Sequence, residues 1–110
     1  MAGLYIERAG GVVLYRGFRA PHGGEVDLIC RGEAMLCFVE VKTRRSLAYG
    51  RPVEAVNKVK QRLITRGAME WLRRMGDKAK DVSYRYDVVE VILTDGERPD
   101  VTWLKNVFND

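Results

Sequence analysis

The segment Leu36–Thr43, LCFVEVKT, has the composition of a buried β-strand and yet carries an acid and a lysine near its centre. Earlier in the chain a second apolar run, Gly24–Cys30 (GEVDLIC), carries Asp27. A buried carboxylate without a partner costs several kcal/mol, so something must compensate both acids. A divalent metal ion is the compensation that best fits two acids beside a lysine. We therefore expect Asp27 and Glu40 to hold a metal ion, with Lys42 next to them.

The geometry of this group depends on how the two runs pair. Side chains alternate along a strand, so Glu40 and Lys42 share one face. In an antiparallel hairpin, the numbers of two facing residues always have the same sum. Asp27 can face Glu40 only if that sum is odd. A loop with an even number of residues, such as Glu33–Ala34, produces that register, whereas an odd loop places Asp27 on the other face. With an even loop, two carboxylates and one ammonium converge, and Glu25 becomes a candidate third acid.

Composition sets the class of protein. The chain has 110 residues, of which 46% are apolar, which is typical of one soluble domain over residues 1–110. The net charge of +4 favours a polyanionic partner such as nucleic acid. Cys30 and Cys37 lie in apolar runs with no metal-binding spacing, and are expected to be core residues in a reducing compartment. No segment has the length of a membrane span, so we expect no membrane association and a cytoplasmic location.

The pattern of apolar residues and turn residues predicts an α/β fold. The crossover from the third strand through a long helix predicts a parallel pairing with the fourth strand, while the hairpins are antiparallel. The result is one mixed five-stranded sheet flanked by helices. The predicted elements are a helix within residues 1–9, strands Val12–Phe18, Glu25–Arg31 and Met35–Thr43, a helix Pro52–Arg74, and strands Tyr84–Leu93 and Val101–Val107.

The acids and the lysine suit phosphodiester hydrolysis. Asp27 and Glu40 would hold Mg²⁺ or Mn²⁺, which lowers the pKa of a bound water and neutralises developing charge. Lys42 would orient that water or stabilise the transition state. The single histidine, His22, lies in a glycine-rich turn, and this argues against a Ser-His-Asp triad. The alternative is a surface ion pair between Glu40 and Lys42 worth under about 1 kcal/mol, which the apolar context disfavours.

Basic residues near this group are candidates for phosphate contacts. Arg44 follows the Glu-x-Lys strand, and Lys58, Lys60 and Arg62 lie on the long predicted helix. Such residues position nucleic acid through its backbone without reading the sequence. The alternative is a solvated helix face without a binding function.

Several stretches together resemble the YraN-type family of uncharacterised bacterial proteins. They are GEVDLI at 24–29, FVEVKTR at 38–44, YGRPVEAV at 49–56 with Lys60, and RYDVV at 85–89. That family is similar to the PD-(D/E)xK nuclease superfamily, which has a restriction-endonuclease-like core, and distantly to Holliday-junction resolvases. The resemblance implies that Asp27, Glu40 and Lys42 occupy the motif positions and that Glu25 belongs to the acidic Gly-Glu-x-Asp turn.

The resemblance implies a Mg²⁺-dependent endonuclease acting on DNA, including branched DNA. Family members usually have a longer first helix with a glutamate one turn before the stretch that Leu4–Ile6 resembles; this sequence begins after that position, and Glu7 does not align with it. The alternative is a non-catalytic nucleic-acid-binding or scaffolding module of the same fold. A homodimer is a third expectation, since enzymes acting on branched DNA often pair two sites.

Overall fold

The two apolar runs that carry the acids form neighbouring strands of one sheet. The computed structural model describes residues 1–32, 34–45 and 56–109. In chain order the elements are α1 (Ala2–Arg8), β1 (Val12–Arg19), β2 (Glu25–Gly32), β3 (Met35–Arg44), α2 (Lys58–Met75), a short 3-10 helix (Gly76–Ala79), β4 (Ser83–Ile92) and β5 (Asp100–Phe108).

The strands follow each other across the sheet in the order β1-β2-β3-β4-β5. The pairing of β3 with β4 is parallel, and the other three pairings are antiparallel. The parallel pairing arises because the chain leaves β3 at one end of the sheet and returns through α2 to start β4 at the other end. The predicted α/β class and the mixed five-stranded sheet flanked by helices are therefore confirmed.

Both faces of the sheet bury apolar side chains, which explains why β3 and β4 are apolar almost throughout. On one face α2 covers a core that contains Phe38 and Val88, and on the other face α1 covers a core that contains Val39 and Val89. Cys30 and Cys37 pair across β2 and β3 in the second core, where both thiols are free. Burial raises the pKa of Cys30 to about 12 and that of Cys37 to about 11, which suits a packing role.

The long helix begins later than the sequence pattern predicted. Asn57 has an extended backbone (φ −77°, ψ 175°) and caps α2 by accepting a hydrogen bond from Lys60 N, so a single helix from Pro52 to Arg74 is wrong. Pro52 itself lies outside the described residues. The asparagine side chain competes for backbone hydrogen bonds and is strongly preferred at the N-cap, and this local preference sets the helix start. After α2 the chain forms the 3-10 helix Gly76–Ala79 and a turn.

A close contact between backbones positions α2 over the start of β2. A Cβ atom on Gly67 would lie 2.8 Å from Val26 Cγ2 and 3.1 Å from backbone atoms of Glu25, and one on Gly24 would lie 2.5 Å from Gly67 N. Only glycine permits this approach at both positions. It places the middle of α2 against Glu25. Across the ranges given above, neither helix combines the length and the apolar composition needed to span a lipid bilayer.

Candidate metal and phosphodiester site

The pairing of β2 with β3 has the register that brings the two acids together. It runs from Gly32↔Met35 to Leu28↔Val39, so the paired residue numbers sum to an odd value and the connection has an even length. Extended by one residue, this register would place Asp27 opposite Glu40, although the pairing stops at Leu28↔Val39. Of the two registers that the loop length left open, the structure therefore has the even one.

Asp27 lies where β2 and β3 stop pairing. Its Oδ2 accepts a hydrogen bond of 2.8 Å from Val41 N, so a side chain replaces the next backbone contact between the strands. The half-buried Asp27 also opens onto a cavity of about 320 Å³ on the α1 side, which Gly3, Arg16 and Thr43 help to line. The carboxylate is thus held by the backbone on one side and open to a cavity on the other.

Glu40 is the most buried acid of the group, with only 4% of its surface exposed. The pKa of Glu40 is raised to about 7, mainly by burial and also by the nearby Asp27 carboxylate, while the charges of Lys60 and Lys42 lower it. Two carboxylates in contact share a proton readily, because the like charges oppose double ionisation. A bound cation would remove that opposition.

Lys60 lies among the acids. Its Nζ is 2.9 Å from Glu25 Oε1 and 3.6 Å from Glu40 Oε1. The hydrogen bond from Lys60 lowers the pKa of Glu25, and the same hydrogen bond raises the pKa of Lys60. The sequence contained a signal for this position, because Lys60 is four residues before the buried Ile64 and so lies on the buried stripe of α2.

Lys42 lies beside an acid that the sequence analysis did not select. Lys42 is half-buried and pairs in register with Glu90 of β4, which in turn pairs with Thr102 of β5. Glu90 is 6% exposed, and its Oε2 has no hydrogen-bond partner within the described part of the chain. By the alternation of side chains Glu90 lies on the same face as Lys42 and Glu40. A charge within the apolar run DVVEVI was the available signal, as it was for Glu40.

The remaining basic candidates lie at the edge of this group. Arg44 is half-buried at the end of β3, and its carbonyl accepts a hydrogen bond from Leu93 N. Lys58 and Arg62 are exposed on α2. The structure therefore places Lys58 and Arg62 on an accessible surface and Lys60 in the acid cluster.

Asp87 is a structural acid of β4. It accepts hydrogen bonds from Arg85 Nε at 3.0 Å, Trp103 Nε1 at 2.8 Å and Asn106 N at 2.8 Å. The pairing of β4 with β5 is irregular at Asp87. Its carboxylate accepts the hydrogen bond of Asn106 N, a backbone donor that the interrupted pairing leaves without a strand partner. Asp87 is thus committed to the fold.

The donor set fits a cation that the protein binds through two carboxylates. Asp27 lies close enough to Glu40 to raise its pKa, whereas Glu25 is paired with Lys60. Among the residues that the structure describes, no group of three or more acids, histidines and cysteines forms a ready metal site. Mg²⁺ commonly takes one or two carboxylates and completes its octahedron with waters and substrate phosphate oxygens. The two acids fit that mode of binding.

The fold and the site together define an α/β protein with an acid pair and a lysine at the end of a central strand. The chain belongs to the uncharacterised protein family UPF0102, whose family model matches residues 1–91.

Relatives of this family match the chain over almost its whole length. A UPF0102 protein of Trichlorobacter lovleyi is 41% identical over 106 residues, which cover 96% of this chain and 81% of the relative. A UPF0102 protein of Geobacter sulfurreducens is 41% identical over 98% of this chain and 82% of its own length. A UPF0102 protein of Rhodococcus jostii is 43% identical over 98% of this chain and 89% of its own length.

Proposed function

We propose that this protein is a Mg²⁺-dependent endonuclease that hydrolyses phosphodiester bonds in DNA. The observation that carries the proposal is that Asp27 of β2 accepts a hydrogen bond from Val41 N, next to the buried Glu40 of β3, with Lys42 two residues beyond Glu40 on the same face. Burial and mutual repulsion make this pair costly unless a cation joins it. The PD-(D/E)xK resemblance, which rests on the same three residues, supports the same chemistry.

Each residue has a role that follows from its position. Asp27 and Glu40 would hold the metal ion, and Val41 N fixes the orientation of Asp27. When bound, Mg²⁺ supplies a Lewis acid at the phosphate and an acidified water. Lys42 donates a hydrogen bond to the attacking water or to a phosphate oxygen, whose negative charge grows as the water oxygen bonds to phosphorus and the bond to the leaving oxygen breaks.

A cleavage assay tests the proposal. The protein is incubated with Mg²⁺ or Mn²⁺ and with single-stranded, duplex, flap and four-way-junction DNA. We expect cleavage of at least one DNA form, and we expect Glu40→Gln and Lys42→Met each to reduce the rate by about 100-fold or more, because each change removes several kcal/mol of transition-state stabilisation.

Glu97→Gln is the matched control for Glu40→Gln. Glu97 is exposed in the turn between β4 and β5, so the same change of one charge occurs away from the acid pair. Cleavage that survives equally in Glu40→Gln and Glu97→Gln, or that persists in EDTA, would overturn the proposal and indicate a contaminating nuclease.

A non-catalytic nucleic-acid-binding module is the second candidate, and the position of Lys60 favours it. The Lys60 ammonium already neutralises Glu25 and contacts Glu40, so the acid cluster has a cationic partner within the fold. This candidate predicts DNA binding without metal-dependent cleavage, and it predicts that Glu40→Gln retains or strengthens binding because a negative charge is removed.

A further inference from the structure

A groove lies between α2 and the C-terminal end of β5. Its volume is about 360 Å³. Lys58, Arg62 and Arg66 of α2 contribute three cationic side chains to the lining, and Phe108 contributes an aromatic ring from β5. The sequence analysis selected Lys58 and Arg62 but neither Arg66 nor Phe108.

The three cations differ from the other arginines of α2. In the described ranges, no acidic side chain forms an ion pair with Lys58, Arg62 or Arg66, and all three are exposed. By contrast, Glu70 accepts hydrogen bonds of 2.7 Å from both Arg73 Nη2 and Arg74 Nε. Within the described residues, the positive charge of the groove is therefore available to an external anion, whereas Glu70 neutralises one of the two charges near the end of the helix.

The groove has the length of a short stretch of nucleic acid. Lys58, Arg62 and Arg66 follow each other at intervals of four residues on one face of α2, whereas Lys60, whose ammonium contacts Glu40, lies about 200° around the helix from Lys58. From Lys58 to Arg66 the helix rises about 12 Å, at 1.5 Å per residue. This distance corresponds to about three or four steps of one DNA strand.

The aromatic side of the groove is rigid and apolar. Phe108 stacks on Tyr86 with ring centroids 4.6 Å apart and an angle of 7° between the rings. One face of the Phe108 ring is thus held against the sheet, and the half-buried ring still lines the groove. A fixed aromatic surface opposite a row of cations matches a sugar-phosphate chain, which presents charge on one side and apolar groups on the other.

We infer that this groove binds the sugar-phosphate backbone of one DNA strand. The phosphates contact Lys58, Arg62 and Arg66, and Phe108 contacts sugars or bases. The inference rests on the proposed function, because it assigns the groove to the same substrate. It adds Arg66 and Phe108 to the candidate nucleic-acid contacts.

The salt dependence of DNA binding tests this inference. Binding of the full chain to labelled single-stranded and duplex DNA is measured by fluorescence anisotropy in EDTA, between about 50 and 200 mM KCl. For Arg62→Gln/Arg66→Gln we expect weaker binding at every sequence, and a slope of log K against log salt that is smaller by about 1.4 for single strands and about 1.8 for duplex.

Arg8→Gln/Arg98→Gln is the matched control, since it removes the same charge from two exposed arginines at the end of α1 and in the β4–β5 turn. Equal slopes in the groove and control variants would show that only net charge matters and would overturn the inference, as would no binding by the unmodified protein. A loss confined to one DNA form supports the groove and identifies that form.

The same experiments separate this inference from the proposed function. Groove-dependent binding without metal-dependent cleavage leaves the groove in place and overturns the catalytic proposal. Metal-dependent cleavage with an unchanged salt slope in Arg62→Gln/Arg66→Gln overturns the inference about the groove and supports the catalytic proposal. Phe108→Ala adds a readout that charge alone does not move, because it should weaken single-strand binding without changing the slope.

Discussion

Glu40 is the residue whose charge the fold controls most directly. In the unfolded chain the Glu40 carboxyl has the ordinary pKa of 4.5, and in the fold that pKa is raised to about 7, mainly by burial. The folded protein therefore holds a proton on Glu40 at pH values where the unfolded chain has released it. Because burial opposes the ionised form of Glu40, the protein without a bound cation is less stable at neutral pH than at acidic pH.

This difference predicts that the metal-free protein loses stability as the pH rises from about 4.5 to about 7. The contribution of Glu40 to the free energy of unfolding falls by about 3 kcal/mol across that window. Denaturant unfolding in EDTA at about pH 5 and about pH 8 measures it. Glu40→Gln should remove this part of the pH dependence, so it should be more stable than the original protein at the higher pH.

The lowered pKa of Glu25 changes the stability only at pH values below this window. Its stabilising effect is lost as the pH falls through the folded pKa. The comparison between the original protein and Glu40→Gln also cancels groups that both share. An unchanged pH dependence in Glu40→Gln would show that the proton is held elsewhere.

Glu90 provides a second prediction at the scale of a single residue. Its buried Oε2 has no hydrogen-bond partner in the described residues, so replacing the carboxylate by an amide of the same shape should remove a desolvation cost. We expect Glu90→Gln to raise the free energy of unfolding by about 1–3 kcal/mol near neutral pH. The exposed Glu97→Gln should change it by less than about 0.5 kcal/mol.

A loss of stability in Glu90→Gln would give the opposite answer. It would mean that Glu90 compensates the charge of Lys42, its register partner on β3, because breaking a buried pair leaves one charge uncompensated. The sign of this one measurement therefore distinguishes an unpaired acid from a partner of Lys42.

At the scale of elements, the packing of α2 on β2 positions a residue of the site. Gly67 touches Val26 and the backbone of Glu25, and the same helix carries Lys60 to Glu25 and Glu40. The helix pattern could be recognised from its apolar stripe, but its start could not be placed without the cap at Asn57. The depth at which α2 lies against β2 depends on two glycines that are far apart in the sequence.

Gly67→Ala should therefore destabilise the protein although alanine is the better helix former. The gain in helix propensity is about 1 kcal/mol, and the clash with β2 costs about 1–3 kcal/mol, so we expect a net loss of up to about 2 kcal/mol. Denaturant unfolding measures the change. Gly32→Ala is the control, since no atom lies within 4 Å of a Cβ there and no loss is expected. Equal stabilities of the two variants would contradict the close packing of α2 on β2.

At the scale of the whole molecule, the acid pair joins β2 to β3, so a cation bound there stabilises the entire fold by binding the native state alone. We expect Mg²⁺ at about ten times its dissociation constant to add about 1.4 kcal/mol, which corresponds to a rise of several degrees in melting temperature. Differential scanning fluorimetry measures the rise. It should vanish in Glu40→Gln and remain in Glu97→Gln, and a rise retained in Glu40→Gln would place the cation at another site.

The sequence by itself determined the order of the elements, the mixed sheet and the selection of Asp27, Glu40 and Lys42, because alternation and apolar runs are local patterns that survive in any fold containing them. It left the register of β2 and β3 open between an even and an odd loop, and the structure has the even one. Only the tertiary structure decided that Lys60 contacts Glu25 and Glu40. It also placed Glu90 beside Lys42 and brought Phe108 to the cations of α2. These contacts join residues far apart in the chain, and they depend on how closely a helix packs on a sheet, which no local pattern encodes.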